Sequence, residues 1–86
     1  MARVEVYGAD WCGDTQRAIE QLRRLNVEYE YIDVEQDKEA SDWVKQQNDG
    51  REQKPTIRIG SRVLSVPDEV ELEDALRREH LISKRK

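Results

Sequence analysis

Cys12 is the only cysteine of the chain, and it stands in the stretch Ala9-Asp10-Trp11-Cys12-Gly13-Asp14-Thr15, directly after a short apolar run. A thiolate attacks disulfides, and its reactivity follows its ionised fraction and its access to solvent. A lone cysteine is otherwise a small hydrophobe that ends up inside. Position separates these two readings. Alternating apolar residues precede Cys12 and helically spaced ones follow it, so the sulfur falls between a strand end and a helix start. Open α/β sheets place their sites at that edge, and the first-turn N–H groups of the helix carry about half a positive charge there. Trp11 before the sulfur and Gly13 after it put it near the surface, beside an aromatic wall. Cys12 is therefore expected to be a reactive thiolate. Thr15 lies one helical turn on and is expected to bring its hydroxyl to the sulfur as a donor. Asp10 and Asp14 flank the cysteine, and like charge works against a thiolate; Asp14 also suits the first turn of a helix.

The elements that must position this loop can be read from spacing. Val4 and Val6 on either side of Glu5 form a strand that Gly8 closes. From Gly13 to Leu25, Ala18, Ile19, Leu22 and Leu25 recur at helical intervals, and Asn26 stops the helix. Residues 27 to 34 predict a second strand, and Asp37 to Gln47 a second helix ended by Asn48-Asp49-Gly50. Thr56 to Ile59 and Arg62 to Ser65 form a hairpin across Gly60-Ser61, with Pro55 just before it. Asp68 opens a last helix that runs to about Ser83. The order is β-α-β-α-β-β-α. Its first half is a βαβ unit with parallel strands and a right-handed crossover. Three helices must then cover two faces of one four-stranded mixed sheet. Trp43, at helical spacing with Ala40 and Val44, reads as core, and His80 as a surface residue without a second ligand nearby.

The totals limit the remaining classes. With 86 residues the chain is expected to be one domain over residues 1–86, of a size that buries only about two-thirds of its unfolded surface. Fifteen basic against nineteen acidic residues give a net charge of −4, which argues against nucleic acid as a partner. Lys84-Arg85-Lys86 reads as a solvated basic end. No apolar run reaches the roughly 18 residues of a membrane span. Strand signal beginning at Ala2-Arg3-Val4 leaves no room for a signal peptide. A single cysteine forms no internal disulfide, which suits a reducing cytoplasm.

The element order, the loop Trp11-Cys12-Gly13-Asp14-Thr15 and the later Lys54-Pro55-Thr56 together resemble the thioredoxin-fold glutaredoxin family, and within it the small glutaredoxin-like mycoredoxins. The likeness runs from Val4 to Leu76 through VEVYGADWCG, YIDVEQD, NDGREQKPTIRIG and LSVPDEV. It implies that Cys12 attacks a mixed disulfide between a protein and a low-molecular-weight thiol, mycothiol or glutathione. With Thr15 in place of a second cysteine, it implies a monothiol route, in which a second small thiol regenerates the enzyme. It implies that Pro55 is a cis-proline beside the cysteine, with the backbone of residue 54 offered to an extended substrate. Lys54 would then hang close to Cys12, either stabilising a thiolate or gripping a carboxylate, unless it is a solvated surface lysine. Arg51 would meet a carboxylate of the thiol or stand exposed. Asp68, in a stretch that lacks the glycines of glutathione-binding members, holds the thiol or caps the last helix. Gly13 and Asp14 would border the substrate groove, and Trp11 and Tyr7 would line it or serve as packing.

Two other functions fit the loop. Cys-Gly-Asp-Thr has the glycine and the hydroxyl residue of monothiol members that bridge an iron–sulfur cluster between two chains, although Asp14 replaces an aromatic residue there. A binding module without turnover is the third reading. The first reading needs no bound cofactor, takes small thiols and protein disulfides as partners, and acts as a monomer.

Overall fold

The computed structural model describes residues 2–82. Four strands and three helices follow in the order β1 (Val4–Gly8), α1 (Gly13–Arg24), β2 (Glu30–Asp33), α2 (Lys38–Gln47), β3 (Thr56–Ile59), β4 (Arg62–Ser65) and α3 (Glu69–Arg78). The sheet order is β2-β1-β3-β4. β1 runs parallel to β2 and antiparallel to β3, and β3 runs antiparallel to β4. This is the thioredoxin-like α/β arrangement that the sequence predicts.

Strand alternation divides the molecule into two layers. Val4 and Val6 of β1 point with Ile57 and Ile59 of β3 into the main core, where Ala18, Ile19 and Leu22 of α1 meet Leu72, Ala75 and Leu76 of α3. The opposite face carries a smaller cluster of Val34, Ala40 and Val44, against which Tyr7, Ile32 and Trp43 pack. Trp43 is thus half-buried on the lesser face, stacked at 4.6 Å on Tyr7, rather than sealed in the main core. Tyr7 packs on that lesser face as well.

Two elements are shorter than their apolar patterns predict. β2 begins at Glu30, not at Val27, because its parallel pairing with β1 starts at Glu5–Glu30. Val27 is spent on closing α1: Asn26 takes φ +59, its N–H donates to the Arg23 carbonyl, and the Val27 N–H donates to Leu22. The same closure cuts α3 at Arg78. There His80 takes φ +62, its N–H donates to Arg77, and the Leu81 N–H donates to Leu76. Leu81 then folds back onto the main core, so apolar spacing continues past a helix that has already ended. The expected end near Ser83 lies outside the described residues. No helix among the described residues is long and apolar enough to cross a membrane.

Candidate active site

β1 delivers the site loop and α1 receives it. Gly8 ends β1 at the point where α1 comes closest: a Cβ on Gly8 would stand 2.5 Å from Thr15 Oγ1. Only glycine lets the helix start so near the strand. A turn from Ala9 to Cys12, closed by the Cys12 N–H on the Ala9 carbonyl at 3.1 Å, then sets Cys12 as the N-cap of α1. Its backbone is extended (φ −83, ψ 118), and no side chain caps the helix. The first-turn N–H groups are thus left without a side-chain acceptor beside the sulfur.

Cys12 is partly exposed, and its thiol donates to the Lys54 carbonyl at 3.7 Å. The Lys54–Pro55 bond is cis. Pro55 is buried, and its carbonyl accepts from the Val66 N–H at 2.8 Å. The expected juxtaposition of Cys12, residue 54 and Pro55 is therefore present.

Two expected side-chain contacts are not made. Lys54 meets Cys12 with its backbone, not its ammonium. Nζ donates to Glu52 at 2.8 Å and lies 5.2 Å from the centre of the Trp11 ring. Glu52 also accepts from Ser41. These two hydrogen bonds, Lys54 first and Ser41 second, hold the Glu52 carboxyl below the usual range. A carboxylate within reach outcompetes a sulfur in this geometry. Thr15, expected to donate to the sulfur, is fully buried, and its Oγ1 has no hydrogen-bond partner among the described residues. The close approach to Gly8 packs this side chain inward.

The other loop residues are fastened to β2 and the segment after it. Trp11 is 69% exposed, with its indole N–H on Glu35 at 2.8 Å. Asp10 accepts from the Tyr31 hydroxyl at 2.7 Å. Burial, followed by the hydrogen bond to Asp10, holds this phenol well above its ordinary range. Asp14 pairs with Arg17. The Asp10 and Asp14 charges are thus each engaged by a neighbour. Gly13 is exposed and opens α1. Arg51 is exposed, and no contact ties it to Cys12.

A groove of about 470 Å³ runs from Asp14, two residues past Cys12, along α1 to the N-terminus of α3; Arg17, Gln21, Val66, Pro67 and Asp68 line it. Asp68 caps α3 by accepting from the Glu71 N–H at 2.8 Å, while Glu71 accepts from the Asp68 N–H at 3.1 Å. Of its two possible roles, this is the one the contacts display. Gln21, buried, donates to the Glu69 carbonyl at 2.8 Å and ties the two helices together. Arg24 pairs with Glu69 at 2.6 Å. Val66 takes φ +46, a left-handed conformation that costs an L-residue roughly 1–2 kcal/mol. Spacing alone did not single out Glu35, Tyr31, Glu52, Gln21 or Val66. The one signal in the chain for Val66 was its place between Ser65 and Pro67. A larger groove of about 600 Å³ borders Arg3, Val27, Tyr29 and Leu81, at the opposite end of β1. Among the described residues, no group of three or more His, Cys, Asp or Glu side chains is arranged to hold a metal ion.

A cysteine heading the first helix, facing the carbonyl before a cis-proline on a β2-β1-β3-β4 sheet, defines a thioredoxin-like redox protein. The glutaredoxin family model matches residues 4–64, and the chain belongs to that family. Mycoredoxin 1 of Corynebacterium glutamicum is 43% identical over 58 residues, which cover 67% of this chain and 71% of that protein. Among solved structures, a glutaredoxin of Brucella melitensis superposes with a TM-score of 0.72 at 29% identity, covering 95% of this chain and 89% of that one. One from Archaeoglobus fulgidus does so with 0.73 at 25% identity, covering 90% and 88%.

Proposed function

We propose that the protein reduces mixed disulfides between proteins and a low-molecular-weight thiol through Cys12 alone. The observation that carries this reading is the partly exposed Cys12 sulfur at the uncapped start of α1, against the Lys54 carbonyl and next to Pro55. The Cys12 thiolate attacks the small-thiol sulfur of a protein–S–S–R disulfide. A Cys12–S–S–R bond forms, and the protein sulfur leaves as a thiolate that takes up a proton. A second small thiolate, RS⁻, then attacks the R sulfur, giving RSSR and restoring the Cys12 thiolate. Overall, one free small thiol is consumed: its sulfur is oxidised into RSSR while the protein sulfur of the mixed disulfide is reduced to a thiol. No second cysteine in the chain intervenes.

Among small thiols, we propose mycothiol. Both arginines that border the groove are already paired, Arg17 with Asp14 and Arg24 with Glu69. Asp68 adds a third carboxylate. The two carboxylates of glutathione would compete with these for the same cations, whereas the sugar body of mycothiol carries no charge. Trp11, pinned by Glu35 and Lys54, offers an exposed flat ring to such a body. The similarity to Mycoredoxin 1 supports the same choice. A reducing compartment such as the cytoplasm keeps the single thiol available.

A coupled assay with a cysteine peptide carrying mycothiol or glutathione as a mixed disulfide tests this reading. The native protein is expected to turn over, with mycothiol preferred, and Cys12→Ser to be inactive. Native protein that is inactive on both disulfides would refute it.

A further inference from the structure

Ser41 in α2 and Asn48 at its C-cap lie about two helical turns apart, so they share a face of the helix with Val44. Apolar spacing accounts for Ala40 and Val44 but not for two polar side chains beside them, Ser41 buried and Asn48 half-buried. Both reach the segment that presents residue 54 to the sulfur. Ser41 donates to Glu52. Asn48 Nδ2 donates to the Thr56 hydroxyl at 3.2 Å, and Thr56, fully buried, donates to the Gln53 carbonyl at 2.9 Å. The rest of the Asn48 amide is also engaged: Nδ2 donates to the Val44 carbonyl at 2.7 Å, and Oδ1 accepts from Ser65. The segment depends on these side chains. From Glu52 to Pro55 the single backbone–backbone hydrogen bond among the described residues is the Val66 N–H on the Pro55 carbonyl. No strand or helix holds the backbone of residues 52–54. It hangs from α2 by two brackets, Glu52 before Lys54 and Thr56 after it. A loose edge must be ordered before an extended chain can pair with it, and that cost is subtracted from binding.

We propose that Ser41 and Asn48 are positioning residues, through which α2 holds the Lys54 backbone beside Cys12 in the place that an amide-bearing disulfide substrate needs. They act through Glu52 and Thr56. The proposal rests on the Cys12 reading above and extends the support of the site to α2.

The test measures second-order rate constants for modification of Cys12 in reduced protein by two disulfides. One is a cysteine peptide carrying mycothiol. The other, bis(2-hydroxyethyl) disulfide, has a sulfur to attack but no amide to pair. In Asn48→Ala the rate constant on the peptide is expected to fall about tenfold, while that on bis(2-hydroxyethyl) disulfide stays within about twofold of native. Ser41→Ala leaves Glu52 on Lys54, so its loss should be about threefold, again on the peptide alone; it keeps the test decisive if Asn48→Ala does not fold. Asp37→Ala removes the α2 cap without touching either bracket, and both of its rate constants should hold. Asn48→Ala or Ser41→Ala slowed equally on both disulfides, or an Asp37→Ala that reproduces the peptide-specific loss, would reduce α2 to a stabilising element and overturn the proposal. Native-like rates in both Asn48→Ala and Ser41→Ala would overturn it too, and in each of these cases the monothiol reading stands. Native protein whose Cys12 reacts with neither disulfide would overturn both proposals together.

Discussion

The N-termini of α1 and α3 share a spacing and differ in what they do with it. In α3 the N-cap is Asp68 and the third helical residue is Glu71, and each side chain accepts from the other's backbone N–H. In α1 the same two places hold Cys12 and Thr15. Neither caps the helix: Cys12 makes no side-chain bond to α1, and the Thr15 hydroxyl is buried without a partner among the described residues. α2 follows α3, with Asp37 accepting from the Ala40 N–H at 3.1 Å. Two helices therefore close their own donors, and one leaves them open beside a sulfur. The Cys-x-x-Thr interval is, in structural terms, a capping interval from which the caps have been removed. On the proposed reading, α1 forgoes a cap where the substrate sulfur would approach, in line with the general exchange between active-site function and local stability.

This contrast can be broken from either side. Cys12→Ser carries the largest effect. It removes the nucleophile, so turnover is lost, and it installs a good N-cap, which is worth about 1 kcal/mol. The variant should therefore melt higher by about 4–8 °C while being inactive. An inactive variant that melts lower would mean that α1 was not short of a cap. Asp68→Ala makes α3 resemble α1 and is expected to cost about 1 kcal/mol in chemical denaturation, without the loss of chemistry. A drop of a few tenths would show that the capping box contributes little. Thr15→Val gives the smallest change. It keeps the shape against Gly8 and deletes a hydroxyl that has no partner, so stability should hold or rise by up to about 1 kcal/mol. A clear fall in stability would show that Oγ1 has an acceptor after all, with the Cys12 sulfur the first to consider.

Much of this architecture was legible in the chain because apolar period and turn residues agree with each other. Alternation around Glu5 and the Gly60-Ser61 turn located β1, β3 and β4, and the Asp37 and Asp68 caps marked two helix starts. Period alone misled wherever an apolar residue belongs to a closure rather than an element. Val27 and Leu81 both pack on the core from the far side of a helix end, so β2 and α3 were read too long. The cysteine and its loop were found from residue type and place, and Pro55 beside them from the resemblance carried by Lys54-Pro55-Thr56. Their side-chain partners were not, because those depend on competition in space. The Lys54 ammonium goes to Glu52 rather than the sulfur, and Thr15 turns inward because Gly8 lets it. Val66 left no trace in period or charge, since its peculiarity lies in the backbone.

The central claim is that one sulfur both takes up and gives away a small thiol. Reduced protein is incubated with the mycothiol disulfide, weighed intact by mass spectrometry, then mixed with free mycothiol and weighed again. One adduct per chain on Cys12, absent from Cys12→Ser and discharged by the free thiol, is the predicted result. No adduct on the native chain, or an adduct that the free thiol cannot remove, would contradict it.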